Sequence, residues 1–158
     1  MRAALNVAAA LLLGACASVP PPPPPPPPAP AGEAIAAAAA ALVGTPYHFG
    51  GADAAGFDCS GLALYVHERA GLSIPRTAAA QQRSARAVPL TQIAPGDLVF
   101  FKIRSRAVNH VGIYAGAGRF IHAPHAGQAV SYADLRHGFY AQHLVSAGRF
   151  WEAVPPSR

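Results

Sequence analysis

Along the chain, stretches that repeat every three or four residues give way to stretches that are apolar throughout, with glycine and proline between them. Ala34–Val43, AIAAAAAALV, has high helix propensity and stops at Gly44 with Pro46 just beyond. From Gly44 to Asp58 glycines recur and the segment reads as a loop. From Cys59, the residues Leu62, Tyr65, Val66 and Arg69 recur at three- and four-residue steps as far as Gly71, which predicts a helix with Asp58 as its N-cap. A short Ala/Gln/Arg helix is predicted from about Thr77 to Ala85. After APGD the run LVFFK is apolar without alternation, as a buried strand would be. HVGIYAG, RFIHA, QAVSY and LVSAGRFW are further candidate strands, separated by turns that carry glycine or proline. Helices first and an antiparallel strand series afterwards predict an α+β domain, with the first helices packed on a meander.

The N-terminal segment has a different character. Arg2 precedes an apolar run, Ala3–Leu13, that is too short to span a bilayer and leads into small residues, the make-up of a secretory signal. Leu13-Gly14-Ala15-Cys16 resembles a bacterial lipobox. That resemblance implies cleavage before Cys16 and diacylglycerol on its sulfur. Because Ala17 and not aspartate follows, it also implies the outer membrane of a Gram-negative cell, with the head facing the periplasm. Pro20–Pro28 is an unbroken run of prolines, which donate no backbone hydrogen bonds and hold φ near one value, so polyproline II is expected. At about 3.1 Å per residue, Pro20–Pro30 would form a semi-rigid stalk about 34 Å long. The expected organisation is a signal peptide over 1–15, a lipidated cysteine and proline-rich linker over 16–31, and one head domain over 32–158.

Composition alters this picture at two points. The formal net charge is +5, carried almost wholly by arginine. It suits attraction to a polyanionic wall as well as a solvated surface. Without a basic-aromatic motif, no nucleic-acid partner is expected. The chain has two cysteines; if Cys16 carries lipid, Cys59 has no disulfide partner in an oxidising compartment and is either buried or used. In the first turn of a helix the dipole and the unpaired N–H groups favour thiolate, so a lowered pKa is expected there, and the same N–H groups can hold an oxyanion. A thiol nucleophile needs a base, and the base needs an orienting partner. His110 begins one candidate strand and His122 nearly ends the next. An antiparallel hairpin brings those ends together, so that His110 faces the thiol while His122 bonds its other ring nitrogen. Asp58 caps the helix or binds a substrate amine, and Arg76 contacts a substrate carboxylate or anchors its loop. His48, His67, His125, His137 and His143 are expected on the surface. A metal site from His110, His122 and His125 lacks a carboxylate and any HExxH-type motif, so no metal is expected.

GTPYHFGG, GFDCSGL, PRT, APGDLVFF, NHVGIYAG and RFIHAP occur in the order found in the NlpC family of cell-wall peptidases, a branch of the papain-like cysteine peptidases. From about Ala34 to its C-terminus the chain resembles that family. The resemblance implies a papain-like α+β fold, with N-terminal helices packed on a five- to six-stranded antiparallel sheet. It implies Cys59 as nucleophile, His110 as general base and His122 as the orienting third residue. Tyr47 matches a tyrosine beside the nucleophile that helps the oxyanion hole, and Asp58, Ser60 and Arg76 are the other candidate substrate contacts. Phe49 departs from the pattern, since a bulkier aromatic is common there. The implied activity is hydrolysis of peptidoglycan amide bonds involving D-glutamate or diaminopimelate, in a stem peptide or across a crosslink, without metal or cofactor. The expected protein is a monomer held to the membrane by the lipid on Cys16. The rival readings are an amidase of similar Cys–His layout, cutting between sugar and peptide, and a non-catalytic wall-binding lipoprotein.

Overall fold

A computed structural model describes residues 31–151; the apolar leader, Cys16, the proline run and residues 152–158 lie outside them. Helix α1 (Ala31–Ala40) is followed by a two-stranded hairpin, β1 (Ala52–Asp53) and β2 (Gly56–Phe57), then by α2 (Cys59–Arg69) and α3 (Ala78–Ser84). The strands β3 (Arg86–Val88), β4 (Leu98–Phe101), β5 (His110–Gly116), β6 (Arg119–His122) and β7 (Ser131–Asp134) come next, and α4 (Gly138–His143) leads into β8 (Leu144–Arg149). The main sheet has six strands in the order β3-β8-β4-β5-β6-β7, and every pairing in it is antiparallel. Thus β4 to β7 form the expected meander, and β8 returns across the sheet to lie between β4 and β3.

The run LVFF is apolar throughout because β4 is covered on both faces. Leu98 and Phe100 join Ile35, Leu62, Val66, Val111 and Ile113 under the helices, whereas Val99 and Phe101 meet Phe120, Leu135 and Ala147 on the other side. Full burial of such a side chain contributes about 1.5–3 kcal/mol. Between β5 and β6, Ala117 and Gly118 both have positive φ (53° and 72°), as a type I′ turn requires. That turn sets the hairpin, and Ile113 faces Ile121 across it. Just before β4, Asp97 is fully buried and receives Arg149 Nε at 2.6 Å and Nη2 at 2.7 Å, while the guanidinium lies 4.2 Å from the Trp151 ring. This ion pair ties β8 to the turn before β4.

Two boundaries and one burial differ from expectation. Helix α1 ends at Ala40, because the amides of Leu42 and Val43 bond back three residues, to Ala39 and Ala40, and tighten the last turn towards Gly44. The strand expected over QAVSY begins at Ser131; the preceding residues pair singly with the loop before β1, through Pro46 and Ala129. His67, expected on the surface, is fully buried. It lies on the face of α2 that carries Ala63, donates its Nδ1–H to the Ala63 carbonyl at 2.8 Å, and meets Phe150 edge-on.

Candidate active site

The site is assembled where the start of α2 meets the start of β5. Asp58 is the N-cap of α2, with φ −89° and ψ 175°, and its Oδ1 accepts the Gly61 amide at 2.6 Å. Gly61 has no room for a side chain, since a Cβ there would overlap the Gly51 carbonyl. That close approach seats α2 against the β1–β2 hairpin and leaves Cys59 as the first helical residue. The backbone amides of Val111, Ser60 and Cys59 itself lie near enough to the Cys59 sulfur to favour its charged form.

The electrostatics of the thiol differ from the expectation of a lowered pKa. Burial pushes the Cys59 thiol up, the Asp58 charge adds to this, and the amides from Val111, Ser60 and Cys59 offset only part of it. A half-buried thiolate lacks the solvation that the helix dipole alone was expected to replace. Cys59 therefore rests as a thiol.

His110 opens β5 and His122 closes β6, and the hairpin puts their rings edge to face at 5.0 Å between centroids. His110 Nε2 and His122 Nδ1 share a hydrogen bond of 2.8 Å. The bond occupies Nε2 of His110 and leaves its Nδ1 as the nitrogen available to a neighbour. Both rings are buried, at 6% and 2% exposure. Burial lowers the pKa of His110 to about 4. Burial, with the charges of His110 and His125, lowers that of His122 to about 3. Both rings are therefore neutral at pH 7.

Phe120 packs on His122 at 4.9 Å. It fits because Gly112, between His110 and Tyr114 along β5, has no side chain; a Cβ there would overlap the Phe120 ring. Tyr140 of α4 was not anticipated. It stacks on His110 at 5.9 Å and 24° and meets His122 edge-on at 4.7 Å. Burial and the Cys59 charge both raise the pKa of its hydroxyl, which puts it within reach of the sulfur's field. Asn109 was also missed: its amide bonds both the N–H and the carbonyl of Ile103 (2.8 and 2.9 Å) and so pins the loop that delivers His110.

The remaining candidates meet around Asp58. Arg76 Nη2 reaches Asp58 Oδ2 at 2.6 Å, and Nη1 reaches Oδ1 and Ser60 Oγ at 3.0 Å each. Burial works to raise the Asp58 carboxyl, but Arg76, the Gly61 amide and Ser60 outweigh it and hold the pKa below the ordinary value. Gln81, fully buried, donates to the carbonyls of Ser60 and Pro75 (3.0 and 2.8 Å) and fastens the Arg76 loop to α2. Tyr47 shares a cleft of about 260 Å³ with Phe49, Asp58, Cys59, Ser60 and Asn109; burial first, then the charges of Cys59 and Asp58, raises its pKa. Phe49 stands at the rim, 87% exposed. A larger hollow of about 360 Å³ between Leu90, Tyr114, Leu135 and Leu144 is lined by neither a histidine nor a cysteine. His125, the third member of the metal alternative, is exposed and bonds the Ala126 carbonyl through Nδ1. Among the described residues no group of three or more His, Cys, Asp or Glu could hold a metal ion.

Residues 44–149 match the model of the NlpC/P60 family. A bifunctional muramidase/DL-endopeptidase, CwlT, of Bacillus subtilis is 41% identical over 109 residues, covering 67% of this chain and 32% of the relative. A gamma-D-glutamyl-L-lysine dipeptidyl-peptidase of the same organism is 37% identical over 109 residues, covering 68% and 37%. The chain thus spans about a third of the length of these curated relatives. Among solved structures, an NlpC/P60 family protein from Bacillus cereus superposes with a TM-score of 0.74 at 32% identity, over 79% of this chain and 42% of that one.

Proposed function

The chain belongs to the NlpC/P60 family, and from that premise we propose that it is a cysteine peptidase that hydrolyses amide bonds in peptidoglycan peptides. The observation that carries the proposal is the His110–His122 bond at 2.8 Å, at the start of the strand whose next amide, that of Val111, lies near enough to the Cys59 sulfur to favour its charged form. For His110 to act as base through Nδ1, its proton must sit on Nε2 and be donated to His122 Nδ1. His122 has the lower pKa of the two, so it stays a neutral acceptor when His110 becomes charged.

In the first half-reaction, His110 Nδ1 takes the thiol proton as the sulfur attacks the amide carbonyl carbon and a C–S bond forms. In this reading the amides at the start of α2 stabilise the oxyanion that results, and Tyr47, which lines the same cleft, adds a hydroxyl. Collapse breaks the C–N bond, and His110 returns the proton to the departing amine. In the second half-reaction, His110 deprotonates water, which attacks the thioester and releases the carboxylate and the thiol. A thiol that rests protonated suits this sequence, because nucleophile and imidazolium arise together during attack.

The names of the relatives support stem-peptide bonds of the D-glutamyl type; bonds from D-glutamate or D-alanine to diaminopimelate are the proposed substrates. The test is mass spectrometry of purified muropeptides digested by the wild type and by Cys59→Ala. New termini at one peptide bond with the wild type alone are expected. Cleavage between sugar and peptide would favour an amidase, and no cleavage a binding module. The lipobox-like LGAC and the proline run support a further proposal, that a lipid on Cys16 holds the protein at the outer membrane with its head in the periplasm. Cys16→Ser is expected to remain unprocessed or become soluble; processed protein still in the membrane fraction would end that reading.

A further inference from the structure

We infer that the loop joining β4 to β5, residues 102–109, is a carboxylate-binding arm on the leaving-group side of the site, and that it holds the free carboxylate of the residue that departs as the amine. This rests on the peptidase reading above and adds a residue-level account of one side of the substrate. The side follows from the mechanism. His110 gives its proton to the departing nitrogen, so the residue attached to that nitrogen lies on the His110 side of the sulfur. The loop that delivers His110 is this one, and its last two residues, Val108 and Asn109, line the cleft beside Cys59.

The loop gathers positive charge without compensating it. Lys102, Arg104 and Arg106 are all exposed. The acids that could answer them are engaged or belong to other elements. Asp58 is paired with Arg76, Asp97 with Arg149, and Asp134 lies against Arg136 and His137. Glu33, Asp53 and Glu68 belong to α1, β1 and α2. Among the described residues no ion pair includes any of the three loop cations. Three like charges at alternate positions repel one another, and an anion set among them relieves that repulsion.

The loop is also held in shape. The Asn109 side chain bonds both the N–H and the carbonyl of Ile103, Ser105 Oγ accepts the Ala107 amide at 3.1 Å, and the Lys102 amide donates to the His143 carbonyl at the end of α4. Arg104 has φ 51°, in the left-handed region that glycine enters without steric cost and arginine does not. A loop that only had to reverse the chain would be better served by glycine there; an arginine displays a guanidinium from a fixed backbone. Burial, and not these charges, lowers the pKa of His110, so the cations stand back from the reacting atoms, where a second group of the substrate would lie.

A guanidinium pairs with a carboxylate through two parallel N–H donors. In both bonds proposed above the departing residue is diaminopimelate. It has an amino-acid group at each end, and one of its carboxylates stays outside the peptide chain. Converting that carboxylate to an amide removes its charge and leaves the scissile bond as it was.

The test gives the full chain two muropeptides that differ only in this group, carboxylate in one and carboxamide in the other. A preference of about tenfold in kcat/KM for the carboxylate is expected, as two or three partly exposed charge contacts provide, and it should shrink as the ionic strength is raised. Replacing all three cations, Lys102→Gln with Arg104→Gln and Arg106→Gln, should bring the ratio to within about threefold. Replacing Arg69, Arg86 and Arg119 by Gln makes the same change in net charge away from the loop and should leave the ratio high. Arg104→Gly, which keeps the left-handed backbone, should lower the ratio by about threefold and serves if the triple variant does not fold. A wild-type ratio within about threefold overturns the inference and leaves the peptidase reading standing. A high ratio that persists in the folded loop variants, or that falls equally in the distant triple variant, overturns the assignment to the loop. Cleavage of neither substrate by protein with an intact Cys59 overturns the peptidase reading and the inference with it.

Discussion

Lowering the pH from 7 to 4 forces a proton onto a buried pair of imidazoles that has no acid beside it. The groups against His110 and His122 are Phe101, Phe120 and Tyr140, and the charges acting on His122 are those of His110 and His125, which are of like sign. In the unfolded chain each ring protonates near the ordinary 6.5, whereas in the fold burial holds His110 at about 4. Between those values the unfolded chain binds more protons than the folded one. Stability is therefore complete above about pH 6.5 and is lost as the pH falls towards 4. For His110 alone the gap corresponds to about 3 kcal/mol, a large part of the 5–15 kcal/mol typical of a folded domain. His67, whose pKa burial also lowers, adds to the same limb. Asp58, lowered by Arg76 against its own burial, begins to act only as the pH falls into the ordinary carboxylate range, where the unfolded chain takes up its proton. Urea titrations at constant ionic strength from pH 7.5 to 4 should show a slope approaching about 1.4 kcal/mol per pH unit for each proton taken up. His110→Gln, which does not titrate, should flatten that slope. A wild-type stability that stays level between pH 6.5 and 4, or that falls as steeply in His110→Gln, would refute the reasoning.

Gly112→Ala should cost about 1–3 kcal/mol, as overpacking does, and lower kcat as well, because displacing the Phe120 ring unseats His122; thermal melting and steady-state kinetics check both. Tyr140→Ala should move the acid limb of kcat/KM upward, towards an ordinary imidazole, by letting water reach the histidines, while Tyr140→Phe should leave it in place; a pH–rate profile that is the same in both variants removes Tyr140 from the site. Arg149→Met should destabilise by about 3–5 kcal/mol, since it leaves Asp97 charged, buried and unpaired; an unchanged melting temperature would show that the pair is not needed.

The parts of the fold that could be read in advance are those where a local rule and the tertiary environment agree. Asp58 is a good N-cap in any helix, and it caps α2. The fully apolar LVFF run forecasts a strand covered on both faces, and β4 is one. The turn chemistry of Ala117 and Gly118 makes the β5–β6 hairpin, so the meeting of His110 and His122 follows from their places at its open end. The parts that were missed lack such agreement. β3 has one buried residue in three, and α4 has none, so neither carries a periodic apolar signal, and with α4 went Tyr140. His67 had a signal that went unused: it lies four residues after Ala63 and one after Val66, on the buried side of α2. The direction of the Cys59 pKa could not be read locally, because the burial that raises it comes from residues distant in sequence.

Asp58 serves two ends that oppose each other, and Arg76 reconciles them. As N-cap it stabilises α2 by about 1 kcal/mol and fixes Cys59 at the helix start. As a charge it raises the thiol pKa and makes the nucleophile harder to form. The guanidinium of Arg76, bonded to both carboxylate oxygens, keeps the cap while cancelling much of its field, and Gln81 holds the Arg76 loop where this is possible. A neutral cap such as serine would avoid the conflict, but it could not anchor the Arg76 loop through an ion pair. The cleft wall would then lose the anchor of the loop that leads into Thr77 and Ala78, which line it. In this site the helix cap, the cleft wall and the reactivity of the sulfur are one interaction, and a substitution at Asp58 or Arg76 acts on all three at once.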